Sequence, residues 1–164
     1  MKNKLKDNNS VVHPFEPISN EYSRILILGT IPSVQSRIAD FYYSHPRNRF
    51  WQMLAMCFGQ QLPQSIEEKM ELLLSNGLAL WDVLASCEIL ASDDSSIRNP
   101  VYNDIATLIN GKPIRKILCN GKKAHSFCAK LELPVPLLCM ASTSPANAAW
   151  NLERLTKAWK SELL

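Results

Sequence analysis

The chain has 164 residues, of which 46% are hydrophobic and 20% are charged, so it is long enough for one globular domain and too apolar for a disordered chain. Its 18 basic and 15 acidic residues give a net charge of +3, which permits a polyanionic partner without requiring one. No apolar run reaches the roughly 18 residues of a membrane span, and the polar residues 1–13 are predicted to form a tail before a single domain over residues 14–164.

Four short apolar runs are predicted to form buried strands of a mostly parallel sheet. They cover residues 25–28, 78–84, 117–119 and 135–140. The first run ends at Gly29 and the third at Asn120 and Gly121, which are residues that stop strands. Pro136 has no N–H to donate to a sheet, so it favours an edge position or a later start for the fourth strand.

Amphipathic segments of helical period separate these runs. They predict helices over residues 48–58, between a capping box at Ser65 and a stop at residues 76–77, after an N-cap at Asn99, around residues 124–131, and over residues 152–163. Residues 92–96 are predicted to be a polar loop. Strands that alternate with helices indicate an α/β fold, with right-handed crossovers that cover both faces of a parallel sheet.

The segments that follow the four strands are the places to look for a site, because ligands of parallel sheets bind beyond the carboxyl ends of the strands. These segments begin near Gly29, Asp82, Asn120 and Ala141. The first has a single glycine, so it matches neither a dinucleotide-binding fingerprint nor a P-loop. Residues 141–147 are small and polar, and such a segment before a helix can present N–H groups and hydroxyls to phosphates.

Residues 41–51 combine aromatic, basic and amide side chains just before a predicted helix. Asn48 is placed to cap that helix, and one of the adjacent Tyr42 and Tyr43 is expected to face a cleft, since neighbouring side chains diverge. Five basic residues without an acid between them lie within residues 112–123. These stretches are either solvated surface or a contact for a polyanion.

The cysteines suggest an intracellular protein without a metal cluster. They are Cys57, Cys87, Cys119, Cys128 and Cys139, and no two of them form a Cys-x-x-Cys pair. Several have apolar neighbours, so we expect buried, reduced thiols in a cytoplasmic protein. Iron–sulfur and zinc sites need tighter ligand spacing.

Three segments, each after a predicted strand or before a predicted helix, together resemble a known family. They are Gly-Thr-Ile-Pro-Ser at residues 29–33, His-Pro-Arg-Asn-Arg-Phe-Trp at residues 45–51 and Ser-Thr-Ser-Pro-Ala-Asn at residues 142–147. In order and spacing they resemble the uracil-DNA glycosylase superfamily, and most of all its hypoxanthine-DNA glycosylase (DNA-deoxyinosine glycosylase) branch. The second segment is also similar to the mismatch-specific uracil/thymine glycosylases. The resemblance covers the chain from about residue 24 to residue 159.

This resemblance implies a three-layer α/β/α sandwich around a four-stranded parallel sheet. It implies a monofunctional hydrolase that flips out a deaminated base, hypoxanthine in this branch, and cleaves its N-glycosyl bond to start base excision repair. The implied partner is DNA that contains such a base, with no metal, organic cofactor or membrane. A monomer in the cytoplasm, associated with the nucleoid if the source is bacterial, is expected.

The chain departs from the superfamily pattern at three positions. Ile31 stands where an Asp or Asn usually orients the attacking water, and in the hypoxanthine branch the essential polar residue is instead the one that matches Asn48. Ser142 and Ala146 replace a His and a Leu wedge of the uracil enzymes. Asn147 or another loop is then expected to support the vacated base stack.

The resemblance and the chemistry of the reaction together assign roles to the residues. We expect the Asn48 amide oxygen to hold the water and Tyr42 or Tyr43 to stack on the base. Backbone N–H groups of Thr30 and Ile31 are candidates to donate to the base oxygen. The residues expected to contact DNA are Ser33, Arg47, Gly121, Lys122, Ser142, Thr143, Ser144, Pro145, Ala146 and Asn147.

Two further base contacts remain open from the sequence. Asp82 is placed to accept the N1–H of hypoxanthine, which adenine lacks; the alternative is that Asp82 caps the following segment. His45 either touches the base or orients its loop through the backbone. The rival functions are a uracil/thymine mismatch glycosylase and a non-catalytic single-stranded nucleic-acid-binding module.

Overall fold

The computed structural model describes residues 10–90 and 93–164. Strands and helices alternate along most of this part of the chain. In order they are β1 (Ser10–Val12), β2 (Ile25–Gly29), α1 (Val34–Ala39), α2 (Phe50–Phe58), α3 (Ile66–Ser75), β3 (Leu78–Asp82), β4 (Leu84–Leu90), β5 (Asp93–Tyr102), α4 (Ile105–Ile109), β6 (Lys116–Asn120), α5 (Lys122–Ala129), β7 (Leu137–Met140) and α6 (Leu152–Leu163).

The four apolar runs form one four-stranded sheet, as predicted, with the order β3-β2-β6-β7 and every pairing parallel. The register aligns Gly29 with Asp82 and Asn120 with Met140, so the polar strand ends meet at one edge of the sheet. Strand β7 starts only after Pro136, whose carbonyl accepts a hydrogen bond from the Ile117 N–H.

Both faces of this sheet are covered, which explains why its strands read as unbroken apolar runs. Alternate residues of β2 enter two separate cores: Ile25 and Ile27 pack with α2, α3 and α6, whereas Leu26 and Leu28 pack with α4, α5 and strands β1 and β4. The family-typical arrangement of a parallel sheet between helices is therefore present. No helix in the described ranges is long and apolar enough to cross a membrane.

A second sheet was not predicted. Strands β1, β4 and β5 form a three-stranded antiparallel sheet with β4 in the centre. Because Ser10–Val12 pairs with Ser86 to Glu88 of β4, the folded domain includes residues 10–13, and the boundary predicted after residue 13 is wrong. Residues 1–9 of the predicted tail lie outside the described residues.

The start predicted for the next helix, at Asn99, is also wrong. Asn99 lies within β5 with a φ of 50°, and pairing with β4 continues as far as Tyr102. The helix begins at Ile105 after the Asp104 side chain, which accepts a hydrogen bond from the Thr107 N–H. Residues 93–96 of the predicted loop start β5, and Ser92 lies outside the described residues.

The other predicted helices form close to their expected bounds, although α5 begins at Lys122, and the short helix α1 was not predicted. The Ser65 hydroxyl accepts from the Glu68 N–H, as in the predicted capping box, but the Glu68 carboxylate accepts from the Gln64 N–H instead of the Ser65 N–H. The Asn151 side chain caps α6. All five cysteines are free thiols, of which only Cys139 is exposed.

Candidate active site

The carboxyl ends of the parallel strands enclose a cavity of about 130 Å³. It lies beyond the neighbouring strands β2 and β6, from which the chain continues to opposite sides of the sheet, and open α/β sheets bind ligands at this position. The lining residues are Gly29, Thr30, Ile31, Pro32, Ser33, Ser36, Tyr42, Tyr43, Asn48, Asp82, Ile89, Asp94, Asn120, Ser142, Thr143 and Ser144. The structure thus brings together the three segments singled out in the sequence and adds residues from β4, β5 and β6.

The Asn48 side chain is held in place by two hydrogen bonds to its oxygen. Oδ1 accepts from the N–H of Phe50, the first residue of α2, at 3.0 Å and from the Thr143 hydroxyl at 2.9 Å; the N-cap itself is Arg49, not Asn48 as predicted. Thr143 is itself fixed by Asn120, whose amide donates to Thr143 Oγ1 and accepts from the Thr143 N–H, both at 3.0 Å. A hydrogen-bond relay from Asn120 in β6 through Thr143, in the loop after β7, therefore orients Asn48.

This relay changes the role expected for Asn48. Both lone pairs of its oxygen are occupied, and a backbone N–H can only donate, so the atom facing Phe50 must be the oxygen. The oxygen is therefore not the atom that holds a water. Within residues 10–90 and 93–164, the Asn48 NH₂ has no hydrogen bond, and it is the group left to contact a ligand.

Asp82 is a buried carboxylate at the end of β3, and its partner was not found in the sequence. Oδ2 accepts from His13 Nε2 at 2.7 Å, and both side chains are almost fully buried. A carboxylate only accepts, so Nε2 carries a proton. The carboxylate is bonded to His13 rather than to the segment that follows it, so Asp82 is not the cap of that segment.

Gly29 makes room for this carboxylate. A Cβ built at Gly29 would overlap Asp82 Oδ1 and would lie 2.9 Å from the Tyr43 hydroxyl oxygen. Any other residue at this position would displace one of these two groups. The absence of a side chain at the end of β2 therefore lets Oδ1 and the phenol of Tyr43 lie side by side at the cavity.

The two adjacent tyrosines have different surroundings. Tyr42 is buried; its hydroxyl donates to the Glu16 carbonyl at 2.9 Å and its ring packs on Phe15. Tyr43 stacks on Phe50 with ring centroids 4.0 Å apart. Both line the cavity, and the Tyr43 hydroxyl lies beside Asp82 over Gly29.

His45 is not among the described residues that line the cavity. Its Nδ1 accepts from the Arg47 N–H at 3.1 Å and its carbonyl accepts from the Asn48 N–H at 3.0 Å. Of the two roles left open for His45, the structure therefore shows the hydrogen bonds of the loop-orienting role. Arg47 is exposed, as a residue that contacts DNA would be.

Arg49 organises the loop over residues 142–150. In the sequence analysis it was only one of the basic residues of 41–51, interpreted as either solvated surface or a contact for a polyanion. Its guanidinium donates to the carbonyls of Ser144 at 2.8 Å and Asn147 at 3.2 Å, to Thr143 at 3.4 Å, and to Trp150. The planar guanidinium of Arg49 thus fixes the backbone of the whole loop through its several N–H donors. The signal for this role was the position of Arg49 next to Asn48, but its partners are 94 to 101 residues away in the chain.

Arg49→Lys is expected to loosen this loop while keeping the charge, because one ammonium cannot reach four carbonyls. We expect faster amide hydrogen exchange over residues 142–150 and a roughly 10- to 100-fold slower reaction, since small displacements of positioning groups are costly. Arg98→Lys, at an exposed position of β5, is the control. Unchanged exchange in the loop would contradict this role.

The loop residues differ in exposure. Thr143 is fully buried, so its side chain cannot contact DNA as predicted; it serves the relay to Asn48 instead. Ala146 is exposed, and the Asn147 amide donates to the Ser142 carbonyl at 3.0 Å, so Asn147 braces the loop. Ser142, Ser144 and Pro145 are partly buried.

A groove of about 780 Å³ adjoins the cavity and shares Asp94, Ser142 and Ser144 with it. Lys122, the first residue of α5, lines the groove, and Gly121 before it has a φ of 100° that favours glycine. A Cβ at Gly121 would lie 3.2 Å from the Ser142 Cβ, so this glycine lets the loop approach α5.

Asp94 places a second carboxyl group at the mouth of the cavity. Partial burial raises its pKa to about 6, the Lys123 ammonium opposes this shift, and the Asp82 and Asp93 carboxylates add to it. Asp94 is therefore neutral below about pH 6 and negative above it. Within the described residues, no group of His, Cys, Asp and Glu is arranged to hold a metal ion.

Comparisons with known proteins agree with this geometry. A family model described as the uracil DNA glycosylase superfamily matches residues 17–163. A protein of Methanosarcina acetivorans named hypoxanthine DNA glycosylase is 34% identical over 143 residues, which cover 85% of this chain and 90% of that protein. A Methanosarcina barkeri protein of the same name is 34% identical over 116 residues, or 69% of this chain and 73% of that protein.

The fold has a solved counterpart. The solution NMR structure of a Methanosarcina acetivorans protein, described as a candidate uracil DNA glycosylase, superposes with a TM-score of 0.80 at 30% identity and covers 92% of this chain and 95% of that chain. The family match spans both the sheet and the cavity-lining loops. This chain belongs to the uracil DNA glycosylase superfamily and is a DNA glycosylase, a hydrolase of N-glycosyl bonds.

Proposed function

We propose that this glycosylase excises hypoxanthine from deoxyinosine in DNA. The observation that carries the proposal is the buried Asp82 carboxylate in the cavity, with one oxygen bonded to His13 and the other facing Gly29. The names of the two curated relatives support the same substrate.

The carboxylate suits hypoxanthine and rejects adenine. Hypoxanthine presents an N1–H donor beside the O6 acceptor, whereas adenine presents a bare N1 and an amino group. Asp82 Oδ1 can accept from N1–H but would repel the lone pair of an unprotonated N1. Because Oδ2 already has a partner in His13, the orientation of Oδ1 is set before the base arrives.

The reaction breaks the bond between deoxyribose C1′ and the base nitrogen. The electron pair of that bond leaves with the base, a water oxygen bonds to C1′, and the proton that the water loses neutralises the released base. Positive charge develops on the sugar and negative charge on the base, so donors aimed at the base and a positioned water lower the barrier. We assign the Asn48 NH₂, which has no hydrogen bond within the described residues, as one of the donors to the departing base.

An excision assay on three duplexes tests the proposal. Duplexes that contain a single inosine, a single uracil or a G·T pair are incubated with the protein, and abasic sites are then cleaved with alkali. We expect nicking at inosine. Nicking only at uracil or thymine would favour the mismatch glycosylase, and the absence of nicks from all three would favour a binding module.

Lys122→Ala is expected to weaken binding by a similar factor for inosine-containing and normal duplexes, because a phosphate contact carries no sequence information. The slope of log affinity against log salt should fall by about one unit. Lys130→Ala, at the opposite end of α5, is the control. A salt slope that does not change would exclude Lys122 from the DNA-binding face.

A further inference from the structure

Within the described residues, the Tyr43 hydroxyl is buried and donates no hydrogen bond, although the Asn120 amide lies near it. Its Oη has no partner of normal hydrogen-bond geometry among residues 10–90 and 93–164. Buried polar groups are nearly always paired in native proteins, and an unpaired one needs a specific explanation. The hydroxyl of the neighbouring Tyr42, by contrast, is paired with the Glu16 carbonyl.

The backbone of Tyr43 is in an unfavourable conformation. Its φ of 51° lies in the left-handed region, which a bulky aromatic residue rarely adopts. Stacking of the ring on Phe50, with centroids 4.0 Å apart and planes 24° apart, holds the side chain in this orientation. Such strain is found where the surrounding structure imposes it, often at ligand sites.

The orientation places the phenol beside Asp82. Both Tyr43 Oη and Asp82 Oδ1 lie over Gly29, which has no Cβ to separate them from the cavity. The two side chains make no hydrogen bond to each other in the described structure. An acceptor and a hydroxyl are thus presented next to one another at the cavity wall.

The protonation of the phenol makes it a donor. Burial, and in addition the nearby Asp82 carboxylate, raises the pKa of Tyr43 far above its usual value, and the Asn120 amide opposes the shift only in part. The phenol therefore keeps its proton at every physiological pH. A neutral phenol beside a carboxylate offers one donor and one acceptor.

We propose that the Tyr43 hydroxyl donates a hydrogen bond to O6 of the flipped hypoxanthine while Asp82 Oδ1 accepts from its N1–H. This inference rests on the proposed function and deepens it. The adjacent O6 and N1–H of the base match the adjacent donor and acceptor of the protein. Phe50 covers one face of the Tyr43 ring. The hydroxyl, at the edge of the ring, is left to contact the base.

Tyr43→Phe tests the proposal because it removes only the hydroxyl. We expect single-turnover excision of inosine to slow by about 10-fold, the size of one lost hydrogen bond to a buried base. The melting temperature should stay the same or rise, since an unpaired buried group is removed. Affinity for a duplex with a tetrahydrofuran abasic site should not change, because that site has no base.

Tyr102→Phe is the matched control, since Tyr102 packs edge-on against Phe127 and is not among the described residues of the cavity. It should keep the wild-type rate on inosine. An inosine rate of Tyr43→Phe equal to wild type would overturn the proposal, as would a loss that is matched by lower stability or weaker binding to the abasic duplex. Wild-type protein that does not excise inosine would instead overturn the proposed function itself.

Discussion

Asn48→Ala is expected to slow single-turnover excision of inosine by about 10²–10³-fold, the usual effect of removing one donor that stabilises a transition state. The variant also removes the acceptor for the Phe50 N–H and the Thr143 hydroxyl. Loss of the hydrogen bond to the Phe50 N–H alone costs about 1 kcal/mol of stability. Excision must therefore be measured together with thermal melting, at a temperature where the variant is folded.

Asn48→Asp separates these two effects. A carboxylate can still accept from Phe50 and Thr143, so stability should remain closer to wild type, but the NH₂ donor is lost. If the donor acts in catalysis, the Asp variant should be about as slow as the Ala variant. An Asp variant with wild-type turnover would mean that an acceptor, as first expected from the sequence, is what the reaction needs.

Asp82→Ala should reduce inosine excision by a factor that corresponds to about 1–3 kcal/mol, because the N1–H of the base then lies unpaired in a buried site. Asp82→Asn should be milder, since an amide oxygen can still accept from N1–H. The same amide suits the N3–H and O4 of uracil, so the Asn variant should gain uracil excision relative to inosine. Single-turnover rates on both duplexes measure the two ratios.

In this experiment the hydrogen bond between Asp82 and His13 has to be separated from the contact between Asp82 and the base. Removing the carboxylate leaves the buried His13 without its partner, so part of any loss could come from stability. In Asp82→Asn the single amide oxygen can face the base only if the amide nitrogen faces His13, whose other tautomer can accept from it while Nδ1–H donates to the Phe15 carbonyl. Equal losses of inosine activity in the Ala and Asn variants, with no gain on uracil, would show that Asp82 is not the base reader.

The parallel sheet was predictable from local sequence, and the second sheet was not. A strand buried on both faces is a continuous apolar run, and the runs at residues 25–28 and 117–119 needed no partner to be recognised. Strands β1 and β5 carry mostly exposed side chains, so they show no such run. Their pairing with β4 overrides the local helix-start signal at Asn99.

The loops of the site were predictable because the carboxyl ends of parallel strands always lie at one edge. Asp82 was identified in this way and Asn48 through the family resemblance of residues 45–51, although the atom by which each acts was not. Arg49 was predicted to be either solvated or in contact with a polyanion, and His13 was placed in a tail. Their partners lie far away in the chain: Asp82 is 69 residues from His13.

The amino-acid sequence alone determined the α/β class, the four parallel strands and the three segments that meet at the cavity. These depend on periodicity, on strand-end residues and on motif order, which are local properties of the chain. Only the tertiary structure decided which atoms are free to act. Hydrogen bonds between distant segments occupy the Asn48 oxygen and one oxygen of Asp82, whereas the Asn48 NH₂ and the Tyr43 hydroxyl have no partner within the described residues. A side chain's chemistry depends on which of its donors and acceptors are already satisfied, and those partners become neighbours only when the chain folds.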